Sequence, residues 1–569
     1  GVNVFSSSKS ELGQKVIFSK SQRRDIVYPY QVSSHVIEYL LKEFKKNVHG
    51  ELDDCKIVVT VPASFGGSQR TDTLKAIAEA GVNVSEGDLI DEPNAAFVGY
   101  LTKFGNQKIP DGSRILIFDM GGGTTDISIV KLLHGGTDEY DVKNLAISRY
   151  DLIGGDDIDT HIATAHLLPK LLEENNVSLD EWTYSVREKL IMSKLRKVAK
   201  ALKESLSSKV IGYIRQENGS SLNSIPWEKL PVDSEVSVEM PDESFKVRKK
   251  TYTLSKISMH LGELRAYLEP FTDPKGFLDA RKGEYNIISI KSLLSSLEMV
   301  SMIAPEKINY ILFVGGSTLN PFIIEGVHDY YPTSEVLEYD EPDDVNRVVA
   351  WGAARFARQI ALKKQIPIIP IVPDKIGILI SGREFVPILP GGVEVPYPLD
   401  SGDFCLSDPL NLPSSTSQGV QIPICIGSAQ RIYQTIRIPK DKISGEVVIG
   451  FRVTEGKTLE CEIRHEGNPI NFELNNPISV YGSDDKRIQE LDQALYEHRN
   501  AVLKKLPGVD QKALKVVEEF IKSKKHPQGI EIAKSLLQMD VDKEIKIQAL
   551  FKLGYMTHGE EAIEYYTKY

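Results

Sequence analysis

The stretch Phe118-Asp119-Met120-Gly121-Gly122-Gly123-Thr124-Thr125-Asp126 decides how the middle of this chain folds. An apolar, β-branched run at 115–118 leads into it, and a second run at 127–130 leaves it, so the pattern predicts two strands joined by a hairpin. Three consecutive glycines carry no Cβ, so the backbone can turn tightly between the strands. A plain hairpin is one interpretation of this stretch, and a backbone cradle for a ligand is the other.

The cradle interpretation has a specific chemistry. Backbone N–H groups in a glycine turn can approach the β- and γ-phosphates of a nucleotide, because no side chain stands between them. Asp119, at the end of the first strand, could hold Mg²⁺ through water, since this ion keeps much of its hydration shell. A P-loop would run from a strand into a helix and supply Gly-Lys-Ser/Thr; here a strand follows and that lysine is missing.

The first two thirds of the chain alternate between helix and strand patterns. Short apolar runs at 57–61, 115–118 and 311–314 predict buried strands, and helices are predicted from Ser68, over 159–206 as a pair, and over about 347–362. This alternation predicts an α/β architecture. The second helix of the 159–206 pair carries many basic residues, which we interpret as a solvated face.

Beyond residue 362 the pattern changes twice. Prolines cluster within 363–373, which predicts an extended linker that cannot be helical. Residues 374–478 read as an antiparallel β-sandwich, with the clearest alternation at 448–463, and Pro423 suggests an edge or irregular strand because it lacks a ladder donor. Residues 485–569 read as helical, and the last stretch weakly resembles one tetratricopeptide-type hairpin.

Composition excludes several classes of function. Of the 569 residues, 41% are hydrophobic and 26% charged, which is typical of globular domains. A net charge of −11 gives no reason to expect nucleic-acid binding. The 4 cysteines form no CxxC pair, so we expect buried thiols in a reducing cytosol. No apolar run reaches the ~18 residues of a membrane helix, which predicts a cytoplasmic protein without a membrane partner.

Six motifs in register resemble the DnaK family, the seventy-kilodalton heat-shock chaperones of the actin-like ATPase superfamily. The resemblance is good over about 27–362, holds in outline over 374–478 and hardly extends to the helical tail. The motifs are Thr60-Val61-Pro62-Ala63-Ser64-Phe65 with Ser68-Gln69-Arg70, Ile90-Asp91-Glu92-Pro93-Asn94-Ala95-Ala96, the Asp119–Asp126 hairpin, Gly154-Gly155-Asp156-Asp157, Val314-Gly315-Gly316-Ser317-Thr318 and Trp351-Gly352-Ala353-Ala354.

The resemblance implies a role for each matching residue. Asp119 is similar to the family's carboxylate for magnesium-bound water, Thr124 to its γ-phosphate hydroxyl, and Glu92 to the acid that orients metal-bound water. Pro93 is similar to an interdomain switch proline. The residues that would border ATP or ADP are Gly121, Gly122, Gly123, Thr124, Thr125, Gly154, Gly155, Lys203, Ser207, Gly315, Gly316 and Ser317.

Simpler interpretations remain open at several of these positions. Glu92 could be a helix-start carboxylate favoured by the helix dipole, and Pro93 a first-turn proline. Lys203 could be one more solvated charge on its helix.

The sequence departs from the family in three places. Nothing before Tyr28 resembles the family's Asp-Leu-Gly-Thr-Thr phosphate hairpin or the catalytic lysine after it, so residues 1–362 are expected to form an actin-like domain without its first segment. If that segment is absent from the working protein, phosphate contacts come from one side and hydrolysis is doubtful.

Glu204 and Leu319 stand where two arginines usually sandwich adenine, with Lys200 replacing a glutamate. The linker is apolar and proline-broken, so nucleotide–client coupling could be tuned differently.

The resemblance implies an ATP-dependent chaperone that uses Mg²⁺ and clamps extended apolar client peptides in its β-sandwich. A J-domain co-chaperone and a nucleotide-exchange factor are the implied partners. A nucleotide-sensing adaptor with little or no hydrolysis is the alternative. A sugar or acetate kinase on the same fold ranks last, because it leaves about 200 C-terminal residues without a role.

Overall fold

The structure is a computed structural model of the 569-residue chain. It describes residues 8–13, 26, 28–47, 55–65, 67–105, 109–134, 140–148, 153–182, 186–219, 221–225, 236–247, 250–272, 289–362, 368–372, 374–380, 384–400, 402–412, 420–427, 432–438, 445–455, 457–475, 517, 533, 537, 543–556 and 565.

The predicted alternation of helix and strand is present, with slightly different ends. The helices are α1 (Pro29–Asn47), α2 (Gly67–Glu79), α3 (Glu92–Phe104), α4 (Gly155–Ile162), α5 (Leu168–Asn175), α6 (Ser193–Asn218), α7 (Leu261–Thr272), α8 (Ile290–Ser301), α9 (Pro321–Tyr330), α10 (Asp344–Ala361) and α11 (Lys543–Met556). A π-helical turn, Ala163–Leu167, joins α4 to α5, and another, Arg187–Met192, leads into α6. The helix pair predicted at 159–206 is therefore longer at both ends.

The strands up to the linker are β1 (Val59–Val61), β2 (Leu89–Asp91), β3 (Arg114–Met120), β4 (Thr125–His134), β5 (Tyr140–Ile147), β6 (Ser237–Met240), β7 (Glu243–Val247), β8 (Lys250–Leu254), β9 (Ile257–His260), β10 (Tyr310–Val314), β11 (Glu335–Val336) and β12 (Ile368–Ile369). A six-stranded sheet has the order β11-β10-β3-β4-β5-β12. β3 pairs with β10 in parallel and with β4 antiparallel, so the predicted hairpin lies at its centre.

Both faces of this sheet are buried, as the unbroken apolar run in β3 predicts. Leu116 and Phe118 pack on one face with residues of α4, α5 and α6. Ile115 and Ile117 point to the other face and pack with α3 and α10.

Smaller pairings flank the sheet. β1 and β2 form a parallel pair beside α1, α2 and α3, while β6 pairs with β9 and β7 with β8. Lys194 on α6 lies 2.5 Å from Glu243 and donates to the Ser244 carbonyl, so this lysine ties the helix to β7. Lys194 thus lies at the surface, as expected, but it also forms an ion pair with β7.

Glycines let α3 and α10 touch along their backbones. A Cβ on Gly352 would lie 1.7 Å from the Ala95 carbonyl oxygen, and one on Gly99 2.0 Å from the Val348 carbonyl oxygen. The Trp351-Gly352-Ala353-Ala354 motif is thus explained by helix packing.

The linker is extended where the structure describes it, as its prolines predict. β12 pairs in parallel with β5 at the edge of the six-stranded sheet. Val372 then exchanges backbone hydrogen bonds with Gly392 and Val393 of the next module.

Residues after the linker form two five-stranded antiparallel sheets that share one core. Their strands are β13 (Ile376–Ile380), β14 (Glu384–Leu389), β15 (Cys405–Leu406), β16 (Leu410–Leu412), β17 (Val420–Ile426), β18 (Ile432–Ile438), β19 (Gly445–Val453), β20 (Leu459–His465), β21 (Asn468–Pro469) and β22 (Glu473–Asn475). The predicted sandwich is present, and the 448–463 alternation forms the hairpin β19–β20.

Of the two expectations for Pro423, an edge or an irregular strand, the edge position is wrong, whereas β17 does have a register irregularity between Ile424 and Cys425. Pro423 lies in β17, which is the central strand of the order β14-β13-β17-β18-β22. The described pairing of β17 with β13 covers Ile424 to Ile426 and so starts one residue after the proline, while Pro423 itself lies opposite Thr435 of β18. The missing N–H therefore falls just beyond the ladder with β13.

The helical tail predicted for 485–569 lies mostly outside the described residues, apart from α11 and four isolated positions. Cys425 is buried, but Cys55 is exposed, so the expectation of buried thiols is wrong for Cys55. Among the helices of the described ranges, none combines the length and the apolarity that crossing a membrane requires.

Candidate functional site

The glycine hairpin between β3 and β4 is closed by one backbone bond, from the Gly121 amide to the Thr124 carbonyl at 3.0 Å. Gly122 and Gly123 are exposed and Thr124 is partly exposed, whereas Thr125 is buried. The turn therefore presents its glycine backbone at the surface, with Thr124 at its edge.

A second pair of glycines packs directly on this hairpin. The Gly155 and Asp156 amides donate to the Gly121 and Gly122 carbonyls at 3.0 and 2.7 Å. A Cβ on Gly154 would lie 2.3 Å from the Gly122 oxygen, so no larger residue fits there.

The third glycine motif completes the cluster. The Ser317 hydroxyl donates to the Gly121 carbonyl at 2.9 Å. Gly315 has a φ of +83°, and a Cβ there would lie 2.6 Å from the Met120 oxygen. Three motifs that are distant in sequence thus meet at one glycine-lined surface, which we call the glycine cleft (Gly121–Thr125, Gly154–Gly155 and Gly315–Ser317).

Two predicted residues of α6 lie beside the glycine cleft. Lys203 is buried; its Nζ lies 2.6 Å from Asp159 and donates to the Gly155 carbonyl at 3.0 Å. Burial raises the pKa of Asp159 to about 6, although Lys203 opposes this shift. Ser207 accepts a hydrogen bond from Asn320 at 3.0 Å. Lys203 is therefore not a solvated charge.

Four charged groups gather at the base of the hairpin, and we call them the carboxylate cluster (Lys9, Glu92, Asp119 and Asp126). Asp119 and Asp126 lie opposite each other in the β3–β4 register. Lys9 Nζ lies 2.8 Å from Glu92 Oε1.

The pKa values in the carboxylate cluster reflect burial and crowding. Burial, then Glu92 and Asp126, raise the pKa of Asp119 well above its usual value, against the opposing charge of Lys9. Burial also raises the pKa of Asp126 to about 7, opposed by its hydrogen bond from Ser64. Burial lowers the pKa of Lys9, but attraction to Glu92, Asp126 and Asp119 outweighs it and leaves a net increase. The cluster therefore has an excess of acidic oxygens that a divalent cation would relieve.

The donor set fits Mg²⁺ held through water. Carboxylate oxygens are its preferred protein ligands, and it commonly uses only one or two of them. Across the part of the chain that the structure describes, no three His, Cys, Asp or Glu side chains are grouped to bind a metal directly. Asp119 would hold the hydrated ion. Asp126 lies opposite Asp119, and Glu92 is paired with Lys9.

Lys9 and Asp126 were not among the predicted site residues. Lys9 lies in a single 3-10 turn, Ser8–Glu11, without a flanking glycine motif, so its role follows only from its contact with Glu92. Asp126 stands in the quoted hairpin, and its register opposite Asp119 was the available signal. The expectation was that nothing before Tyr28 resembles the family's catalytic lysine; Lys9 contacts Glu92, and a site role for Lys9 stays a prediction.

Glu92 and Pro93 begin α3, and Pro93 is buried. Both residues thus occupy the helix-start positions of the simpler interpretation, while Glu92 also contacts Lys9. The switch role of Pro93 stays a prediction.

The positions expected to contact a base are more exposed. Lys200 and Glu204 form a 3.8 Å pair with more than half of each side chain exposed, and Leu319 is partly exposed. An intrahelical ion pair thus occupies the helix face where the resemblance implies arginine stacking.

The sandwich contacts the first module next to the carboxylate cluster. The Asp91 carboxylate is buried between Arg70, at 2.5 Å, and Lys457 of the β19–β20 hairpin. Glu86 accepts hydrogen bonds from Thr454 and Thr458 at 3.1 and 2.7 Å. Asp91 precedes Glu92, so the interdomain contact and the carboxylate cluster are adjacent in the chain.

Fold and site together define a class: an α/β protein with a glycine-lined, carboxylate-bearing surface, joined to a β-sandwich by a paired linker. The family model described as Hsp70 protein matches residues 4–222, a range that includes Lys9. Over this range the chain is similar to the DnaK-like seventy-kilodalton chaperones.

Curated relatives show the same similarity. The chain is 27% identical over 393 residues to a chaperone protein HscA homolog of Aliivibrio fischeri (strain MJ11), covering 68% of this chain and 50% of that protein. It is 28% identical over 377 residues to an HscA homolog of Chromobacterium violaceum, covering 66% and 49%. It is 27% identical over 374 residues to the chaperone protein DnaK of Thermosipho melanesiensis, covering 65% and 52%. The chain thus spans about half of the length of these relatives.

Proposed function

We propose that this chain is the nucleotide-controlled part of an ATP-dependent molecular chaperone. ATP or ADP with Mg²⁺ would bind the glycine cleft of an actin-like domain, and the sandwich would hold an extended apolar peptide segment. A cytoplasmic location, a J-domain co-chaperone and a nucleotide-exchange factor belong to the same proposal.

One observation carries the proposal. Asp91 and Glu92 are consecutive residues; Asp91 holds Lys457 of the sandwich, and Glu92 holds Lys9 of the carboxylate cluster. A shift of Glu92 on nucleotide binding therefore displaces the residue that anchors the sandwich. This adjacency supports nucleotide control of the peptide site.

Each group of residues has a separate role in binding the nucleotide. Glycine amides approach the phosphates, Thr124 offers a hydroxyl at the turn, and Asp119 holds the hydrated ion. Lys9, placed by Glu92, supplies positive charge near the terminal phosphate. Bound Mg²⁺ would neutralise phosphate charge. Turnover to ADP and phosphate is included for a native protein that also carries the Asp-Leu-Gly-Thr-Thr hairpin.

Calorimetric titration tests the proposal. We expect Mg²⁺-dependent uptake of ATP and ADP, lost in Thr124→Ala and Asp119→Asn variants that keep their melting temperature. We also expect the affinity for a fluorescent apolar peptide to differ at least fivefold between the ATP and ADP states. If the protein bound neither ATP nor ADP, the proposal would be contradicted.

A second candidate is a nucleotide-sensing adaptor with little or no hydrolysis. The exposed Lys200–Glu204 pair and Leu319 favour it, because guanidinium stacking on the base is lost. In a protein that also carries the Asp-Leu-Gly-Thr-Thr hairpin, peptide-stimulated ATP turnover distinguishes the two: the chaperone requires it, and background turnover with intact nucleotide binding supports the adaptor.

A further inference from the structure

A hydrogen bond across the site joins Ser64 to the carboxylate cluster. The Ser64 hydroxyl donates to Asp126 Oδ1, and the two residues are 62 positions apart. The Ser64 backbone also bonds this carboxylate. Ser64 follows β1, whereas Asp126 lies in β4 of the six-stranded sheet.

The backbone around Ser64 is held firmly. The Phe65 amide donates to the Pro62 carbonyl at 3.0 Å and closes a turn. Buried Arg70 donates from Nε to the Phe65 carbonyl at 3.1 Å, and Phe65 is itself buried. The hydroxyl therefore projects from a rigid segment.

Asp126 needs such a partner because it is 3% exposed and lies opposite Asp119. A buried carboxylate without fixed hydrogen bonds can rotate, and its orientation decides where its oxygens meet a hydrated ion. The Ser64 hydroxyl fixes Oδ1 and hence the plane of the carboxyl group.

We propose that Ser64 is a positioning residue that acts through Asp126 and sets the affinity of the carboxylate cluster for a divalent cation. This inference rests on the proposed nucleotide function. Ser64 does not need to touch the nucleotide for this role.

The test compares ADP binding across an Mg²⁺ series and in EDTA. In Ser64→Ala we expect the Mg²⁺ concentration for half-maximal enhancement to rise about tenfold, as for loss of other partners of metal-site carboxylates. Affinity in EDTA should not change. Ser64→Thr keeps the hydroxyl and should behave like the parent protein.

A double-variant cycle shows whether Asp126 transmits the effect. In an Asp126→Asn background, Ser64→Ala should cause no further loss. The inference would be overturned if Ser64→Ala and the parent protein had the same Mg²⁺ dependence, or if Ser64→Ala lowered the ADP affinity equally in EDTA. It would also be overturned if Ser64→Ala had its full effect in the Asp126→Asn background, or if Ser64→Thr bound Mg²⁺ as weakly as Ser64→Ala.

A nucleotide-free measurement separates this inference from the proposed function. Mn²⁺ is titrated into the protein alone and free Mn²⁺ is followed by electron paramagnetic resonance, with weaker binding expected in Ser64→Ala. If Ser64→Ala loses Mn²⁺ affinity but the protein takes up no ADP, the positioning role of Ser64 is supported and the proposed function is contradicted. Unchanged Mn²⁺ affinity would reject the role of Ser64.

Discussion

At the residue scale, the glycine motifs matter through the space that a side chain would occupy. Gly315 shows this most clearly, because its φ is +83° and its missing Cβ would meet Met120 O and Asp119 Oδ1 at 2.6 and 2.8 Å. Gly316 is the matched neighbour, since a Cβ there would meet only Asn346 Oδ1 at 3.4 Å.

Gly315→Ala should therefore lower the free energy of unfolding by about 2–4 kcal/mol, from left-handed strain and backbone overlap together. Urea unfolding measures this, and nucleotide uptake should fall with it because Asp119 is displaced. Gly316→Ala should cost less than about 1 kcal/mol. Equal effects of the two substitutions would contradict the close approach at Gly315.

Glu325 on α9 gives a pH dependence with a defined sign. Burial raises its pKa to about 7 despite its pairing with Arg265. The unfolded chain has a value near 4.3, so the folded state binds the proton more tightly and stability falls as pH rises from about 4.3 to about 7.

The measurement is the difference in unfolding free energy between the parent protein and Glu325→Gln at several pH values. The advantage of the parent protein should shrink between about pH 5 and pH 7, by at most about 1.4 kcal/mol per pH unit. A constant difference over this range would show that Glu325 titrates normally.

Single residues also show what sequence could and could not reveal about the site. Glycine motifs are recognisable because only one residue type permits the backbone geometry, and Gly121, Gly155 and Gly315 do meet in the fold. Lys9 could not be found in this way, since a lysine fits almost any surface turn. The ion pair of Lys203 with Asp159 is a tertiary contact, which helical periodicity cannot reveal. The sequence therefore allowed Lys203 to be interpreted as a solvated charge.

At the scale of elements, the packing of α3 against α10 requires glycine at the contact, whereas the glycine in α6 has open space around it. Gly352→Ala would place a Cβ 1.7 Å from the Ala95 oxygen, whereas a Cβ on Gly212 of α6 has no atom within 4 Å. Both glycines lie inside helices, so helix propensity favours alanine equally in each case.

Gly352→Ala should destabilise the protein by about 3 kcal/mol or more, because the two helices must separate. Gly212→Ala should instead stabilise it by about 0.5–1 kcal/mol. Thermal unfolding of both variants measures the contrast. Similar melting temperatures would mean that the helices are not in contact at Gly352.

Strand prediction succeeded where burial on both faces leaves an unbroken apolar run, as in β3 and β10. It failed for the edge position expected of Pro423, because the ladder with β13 starts one residue after this proline inside a central strand. Which strand lies at an edge depends on pairing order, and local pattern carries no information on that order.

At the scale of the whole molecule, the contact between the two modules depends on a buried charge. Lys457 and Asp91 are almost completely buried, whereas a second interdomain pair in the described residues, Lys143–Glu394, is much more exposed. Burial lowers the pKa of Lys457, and Asp91 opposes that shift. The two lysines therefore form a matched comparison.

Lys457→Met should weaken the contact by about 1–3 kcal/mol, with Arg70 left as the only charge partner of Asp91 seen in the described residues. Lys143→Met should change it by less than about 1 kcal/mol. Calorimetric scanning should then resolve separate transitions for the two modules only in Lys457→Met. Identical traces for both variants would rule out Lys457 as the main anchor.

The two-residue pairing of β12 also has a mechanical consequence. If the two modules are pulled apart, the load falls first on the few backbone bonds of Ile368–Ile369 and Val372, because these residues connect the modules and β12 pairs over only two residues at the edge of its sheet. In an optical trap, the linker should release as a small, reversible step at low force. Rupture of either module should follow only after it.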